Sequence, residues 1–159
     1  MKADDPARDV VQQSMVARIA TLSRNGRPSI TPLYFVSVNG HIWLGTVDWT
    51  IAVRNIRADP RVELLFEKER DRGDSRVLRI SGQANVRSEW AVQRSYVRRV
   101  ALKYVLTPGG IRNMLTHIRQ LPLRRNYYAQ SAAKGRSCVI DVTPEQTELL
   151  QGGDRRCVG

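Results

Sequence analysis

Arginine is the residue type with the most chemistry on offer in this chain. Of 26 basic side chains 22 are arginines, the lysines being Lys2, Lys68, Lys103 and Lys134. A guanidinium is a planar, permanently charged fork that grips phosphate and carboxylate through paired hydrogen bonds. The arginines are also unevenly placed. From Arg87 to Arg136 there are eleven basic residues and one acid, Glu89, so this stretch alone carries +10. That balance implies an anionic partner: a phosphorylated cofactor, a nucleic acid or a membrane surface. The plain alternative is a helix face that does no more than sit in water. Within the stretch, Tyr127 and Tyr128 follow Arg124 and Arg125, a grouping able to stack on an aromatic ligand or to close a core.

The other reactive types are sparse. Two histidines, His41 and His117, are too few for a multi-histidine metal cluster, and Cys138 and Cys157 match no zinc spacing, so no metal site is expected. A disulfide is not expected either, because Cys157 falls in a polar terminal run. No Ser-His-Asp or Cys-His arrangement can be assembled. Thr46, Thr50 and Arg54 cluster around the start of a short helix, where on their own they serve as turn and cap residues. Without a helix-turn-helix signature, an aromatic strand platform or a zinc motif, nucleic acid is not the expected partner.

The elements that must position these groups come from patterning. At 159 residues and 18.0 kDa the chain has the size of one domain, and 42% hydrophobic residues suffice for a core. No apolar run is long enough for a membrane span, and the polar start MKADDPARDVVQQ is not a secretory signal, so a cytoplasmic protein is expected. Residues 1–14 read as an amphipathic helix around Val10 and Val11. Ala17–Leu22 reads as a strand, Asn25-Gly26 as a hairpin turn, Ser29–Val38 as one strand, Asn39-Gly40 as a second turn and His41–Thr46 as a third strand. Pro32 sits inside the second strand, so part of that backbone must face something other than a neighbouring strand. Thr50–Asp59 is helical, capped by Asp48 or Thr50 and stopped by Pro60. Arg61–Glu69 alternates with Val62, Leu64 and Phe66 on one side, 69–75 is a charged turn, and Val77–Val86 is a strand bent or bulged at Gly82. Residues 88–133 are helical, with Trp90, Val92, Tyr96, Val97, Val100, Ala101, Tyr104 and Val105 in one stripe. A break at Pro108-Gly109-Gly110 precedes a second helix from Ile111 to Leu121. Ser137–Val142 is the last strand, stopped by Pro144, and 150–159 is a loose tail. Six antiparallel strands that must protect their edges favour a closed or split barrel.

In their order and spacing these pieces resemble the FMN-binding split barrel of the pyridoxamine-phosphate-oxidase-like flavoproteins, which include flavin- and deazaflavin-dependent oxidoreductases. The resemblance is carried by Ala17-Arg-Ile-Ala-Thr-Leu22, Gly26-Arg-Pro28, Thr31-Pro-Leu-Tyr-Phe35, Ile42-Trp-Leu-Gly-Thr46, Arg54-Asn-Ile-Arg-Ala-Asp-Pro-Arg-Val62, Ser81-Gly-Gln-Ala-Asn-Val86 and Val139-Ile-Asp-Val-Thr-Pro144. It covers residues 10–87 and 137–145. It implies a mainly β fold, a six-stranded antiparallel split barrel over 1–159 with flanking helices and a helical insertion at 88–136. It further implies a homodimer holding its cofactor at the interface, and hydride transfer to or from a small-molecule substrate. The cofactor implied is FMN, with the deazaflavin coenzyme F-420 as the alternative, and a non-catalytic flavin- or haem-binding protein as the alternative function. The backbone of Pro32, Leu33, Tyr34 and Phe35 would edge the isoalloxazine ring. Thr46, Thr50 and Arg54 would address the ribityl chain and phosphate, with Arg57 as a second phosphate ligand and Trp49 beside the cofactor. Arg124, Arg125, Tyr127 and Tyr128 would lie on the substrate side. One position departs: Ala52 stands where family members commonly carry lysine or arginine.

Overall fold

Asn39 and Gly40 adopt φ of 50° and 86°, and Gly26 adopts 72°. These are the left-handed values that tight hairpins require. The computed structural model describes residues 6–68, 76–105 and 135–151. Along the chain these form α1 (Pro6–Gln13), β1 (Ala17–Leu22), β2 (Pro28–Leu33), β3 (Phe35–Val38), β4 (His41–Val47), α2 (Ile51–Ala58), β5 (Arg61–Glu67), β6 (Arg76–Arg87), α3 (Trp90–Val100), a π-helical turn (Ala101–Val105) and β7 (Ser137–Gln151). The expected charged turn at 69–75, the second helix at 111–121, His117, Arg124, Arg125, Tyr127, Tyr128, Cys157 and the end of the tail lie outside the described residues.

The strands form one antiparallel sheet of seven, in the order β2-β1-β5-β6-β7-β4-β3. That is one more strand than expected, because the run Ser29–Val38 divides at Tyr34. Its first half pairs with β1 and its second with β4, at opposite edges of the sheet. A sheet whose two edge strands are consecutive in the chain must curl until those edges meet at the link, and this makes a split barrel. Pro32 fits this arrangement. The Ser23 N–H donates to the Arg27 carbonyl, and counting in twos from that bond places Pro28 and Pro32 where the backbone nitrogen faces away from β1. Proline costs no ladder bond there.

Pro144 does not stop the last strand, which continues to Gln151. Ser81 pairs with Gln146 and Gly82 with Pro144, so Glu145 is skipped and the ladder breaks where the proline sits. A Cβ on Gly82 would run into the Thr143 carbonyl, so the expected bulge at Gly82 needs the bare backbone.

The alternation of each strand turns one set of side chains inward. Phe35, Phe66, Ile19, Leu44, Leu64 and Leu78 are fully buried, and Phe35 meets Phe66 edge-on at 4.9 Å between ring centres. Val10 of α1 and Val53 and Ile56 of α2 close this core. On the outer face α3 lies against β3 and β7, and Val92, Val36 and Val139 are buried outside the main core. Two members of the expected stripe, Trp90 and Val97, instead face outward at 71% and 62% exposure. Among the described residues no helix is long and apolar enough to cross a membrane.

Candidate functional site

β4 hands over to α2 through the turn Val47–Thr50. Thr50 occupies the N-cap position in extended backbone (φ −67°, ψ 155°) but makes no side-chain cap bond. Its N–H and its hydroxyl both donate to the Val47 carbonyl, at 3.2 and 3.0 Å. The first-turn N–H groups of α2 therefore keep no side-chain acceptor from the cap residue. The hydroxyls of Thr46 and Thr50 lie 3.3 Å apart. The turn is pinned to the start of β7 by a reciprocal pair of bonds. The Arg136 N–H donates to Asp48 Oδ1 at 3.1 Å, and the Asp48 N–H donates to the Arg136 carbonyl at 3.0 Å. Trp49, 54% exposed, lies over Gly135, where a Cβ would strike the indole.

The 3.6-residue period of α2 sorts its side chains. Ala52, Val53, Asn55 and Ile56 turn inward, and Asn55 Nδ2 donates to Thr21 Oγ1 at 3.0 Å. Arg54 and Arg57 face solvent one turn apart, and neither guanidinium has a hydrogen bond or ion pair with any described residue. Position 52, by contrast, is only 1% exposed, so Arg54 does not substitute for a basic side chain there. Cys138 pairs with Thr46 across the ladder and is buried. Burial pushes its thiol up to about 11; the Asp48 charge adds to the rise and the Arg57 charge opposes it. A thiol so far from ionisation is no nucleophile at neutral pH.

The link between the two sheet edges meets this corner. Gly45 N–H donates to the Tyr34 carbonyl at 3.3 Å, and the Tyr96 hydroxyl donates to the same carbonyl at 3.0 Å. A Cβ on Gly45 would enter the Tyr96 ring, so the glycine admits that tyrosine to the outer face. Since Tyr34 is bonded to β4, the backbone of Phe35 points the other way, to the open edge. There one hydroxyl serves both of its groups: Tyr104 donates to the Phe35 carbonyl at 2.8 Å and accepts from the Phe35 N–H at 3.2 Å. The neighbouring Lys103 sets its ammonium 3.3 Å from the centre of the buried Phe35 ring, and Tyr34 and Tyr104 meet edge-on at 5.1 Å. Adjacent residues reach one strand residue because the helix widens into a π-turn.

Thr46, Thr50, Tyr34 and Trp49 thus gather at one corner, with Arg54 and Arg57 on the adjoining helix face. The side chain of Phe35 is in the core and Pro32 lies exposed on β2, opposite Arg18. Patterning alone had placed Tyr96 and Tyr104 in an apolar stripe, which gave their hydroxyls no part. An open cleft of about 420 Å³ lies elsewhere, on the outer face of β1, β5 and β6, lined by Ala20, Leu22, Arg61, Glu63, Ser81 and Gln83 among others. His41 Nδ1 bonds Asp141 at 2.8 Å, and Arg87 donates to the other carboxylate oxygen at 3.2 Å.

A family model described as pyridoxamine 5'-phosphate oxidase matches residues 3–151. The chain belongs to the pyridoxamine 5'-phosphate oxidase family. Solved structures agree on the fold. A conserved hypothetical protein from Mycobacterium tuberculosis is similar over 100% of this chain and 92% of its own, at 21% identity and a TM-score of 0.67. An F-420 reductase is similar over 92% and 98%, at 15% identity and 0.61. The haem-storage protein HutZ of Vibrio cholerae is similar over 96% of each chain, at 16% identity and 0.62. No curated protein matches the chain in sequence.

Members of this family typically bind flavin. The corner fits the anionic end of such a group through helix N–H groups that take no side-chain cap and two guanidiniums with no partner among the described residues, donors of the kind a phosphate takes, while the Thr50 hydroxyl proton is already given to the Val47 carbonyl. The Tyr34 carbonyl and both main-chain groups of Phe35 are already bonded to Tyr96 and Tyr104.

Proposed function

We propose that the protein is a flavin- or deazaflavin-dependent oxidoreductase that moves hydride between its bound cofactor and a small molecule. FMN is the favoured cofactor and F-420 the alternative. The observation that supports this most is that Arg54 and Arg57, which have no partner among the described residues, lie beside the hydroxyls of Thr46 and Thr50 in a chain of this family. When bound, the cofactor supplies the redox chemistry, and the chain supplies binding and orientation. Arg54 and Arg57 hold the phosphate, Thr46 and Thr50 orient the polar arm, and Trp49 shields one side from water. The whole chain 1–159 acts as one cytoplasmic split-barrel unit, with 88–136 as its insertion and 150–159 as a tail. Two copies pair to complete the site. The outer face of β2, β1 and β5 favours pairing, since Ile30 is 61% and Leu22 36% exposed there.

A second reading, a binding or storage protein without turnover, is favoured by the corner itself. The Cys138 thiol is held neutral, and the hydroxyls of Tyr96 and Tyr104 are spent on main chain, which among the described residues leaves the Tyr34 phenol as the one tyrosine hydroxyl at the corner without a main-chain bond. Titration of the purified protein with FMN and with F-420, followed by fluorescence, separates the readings. Low-micromolar binding of one cofactor, with its reduction and reoxidation by a donor and an acceptor, is expected. Tight binding without turnover leaves the storage reading; binding of neither cofactor refutes the oxidoreductase, and a parallel haem titration that also shows no binding refutes the storage reading.

A further inference from the structure

We propose that the outward face of α3 is a docking surface for an anionic lipid bilayer. The face is built by helical spacing: Trp90, Arg94, Val97, Arg98 and Leu102 recur at intervals of three and four, all exposed. Trp90, Val97 and Leu102 are 71%, 62% and 61% exposed, a concentration of large apolar side chains unusual for a surface without a partner. Arg94 stacks on the Trp90 ring at 5.1 Å, and Arg99 extends the positive charge along the flank. Glu89, the acid next to Trp90 in sequence, is already paired with Arg87 at 3.5 Å.

The chemistry selects among occupants. A second copy meeting this face about a two-fold axis would set Arg94 and Arg98 against their own images. The chain's own segment 106–134 offers no counter-charge, for it contains four arginines, one lysine and no acid. A nucleic acid would answer the arginines but not reward Val97 and Leu102. An anionic bilayer answers both: tryptophan prefers the headgroup level, aliphatic side chains dip below it, and arginines reach the phosphates. The attachment is peripheral and reversible, since α3 has 11 residues.

The test is co-sedimentation of the intact protein with vesicles of phosphatidylcholine, alone and with about one-third phosphatidylglycerol, at low and raised salt. Binding is expected to the anionic vesicles, weakening with salt. The double variant Arg94→Gln/Arg98→Gln should bind roughly 25-fold more weakly, about 5-fold for each arginine. Trp90→Ser/Val97→Ser should lose binding even at low salt. Because these side chains are exposed, thermal midpoints should stay put, and circular dichroism checks that. Equal binding to both vesicle types, or to neither, overturns the proposal. So does a variant pair that binds vesicles like the parent. A dimer that Trp90→Ser/Val97→Ser dissociates assigns the face to self-association. Retention of duplex DNA but not of vesicles assigns it to nucleic acid.

Discussion

Replacing Tyr104 with phenylalanine keeps the ring and removes one oxygen. That oxygen accepts from the Phe35 N–H at 3.2 Å and donates to its carbonyl at 2.8 Å, in a partly buried setting at the open edge of β3. Two main-chain groups lose their partner together. A net bond contributes about 0.5–1.5 kcal/mol, and an orphaned buried group costs about 1–3 kcal/mol. Since water can reach part of this edge, a loss of about 2 kcal/mol is expected, or about 4–8 °C in thermal midpoint for a chain of this size. Tyr96→Phe is the internal control. The Tyr34 carbonyl it releases is exposed and keeps its bond from Gly45, so the loss should stay below about 1 kcal/mol. Thermal unfolding of both variants, with hydrogen exchange at the Phe35 amide, measures the difference. Exchange there should quicken about 30-fold in Tyr104→Phe if local opening falls by the full amount. Equal midpoints for the two variants, with Phe35 protection unchanged, would refute the idea that this phenol seals the strand. If the family's flavin ring uses the same main-chain groups, Tyr104→Phe also tightens FMN while weakening the fold.

Arg54→Gln and Arg57→Gln should each weaken FMN about 10-fold or more in the fluorescence titration, the loss of one charge-assisted bond to phosphate. Neither should move the thermal midpoint, because neither guanidinium has a partner among the described residues. Gly82→Ala should destabilise by about 1–3 kcal/mol or more in urea unfolding, since its Cβ meets the rigid Thr143 carbonyl. The Cys138 thiol, pushed up to about 11, sets a window at alkaline pH. In the unfolded chain it ionises from about 8.5 upward while the folded chain keeps its proton, so its contribution is intact below that and lost as pH rises toward 11, at up to about 1.4 kcal/mol per pH unit. The stability difference between parent and Cys138→Ala, followed by urea unfolding across that range, should therefore fall with rising pH, and a flat difference would contradict it.

Local patterns carried most of this fold. ARIATL is β1 to the residue, the Asn-Gly pairs are the hairpins, and the alternation of Val62, Leu64 and Phe66 is the inner face of β5. The divided strand was not legible, because SITPLYFVSV is continuously β-like and only sheet order reveals that it changes edges at Tyr34. Pro144 misled for a related reason: a proline that would end a regular ladder is harmless where a bulge has already broken it. At the site, the closeness of Thr46 and Thr50 followed from their positions around one helix start. Tyr96 and Tyr104 were read by their rings, and hydrophobic periodicity gives no weight to a hydroxyl. Tyrosines rather than leucines on the inner side of a helix were the available signal.

The link at Tyr34 leaves the barrel with two lips, and each is blunted differently. On β2 two of the three outward amide positions, 28 and 32, are prolines with no hydrogen to give, which leaves Ile30 alone between them; on β3 a phenol already holds the outward amide and carbonyl of Phe35. An intruding strand would find little to zip onto at either lip. The barrel can therefore stay open at this seam without inviting its neighbours to polymerise through the gap.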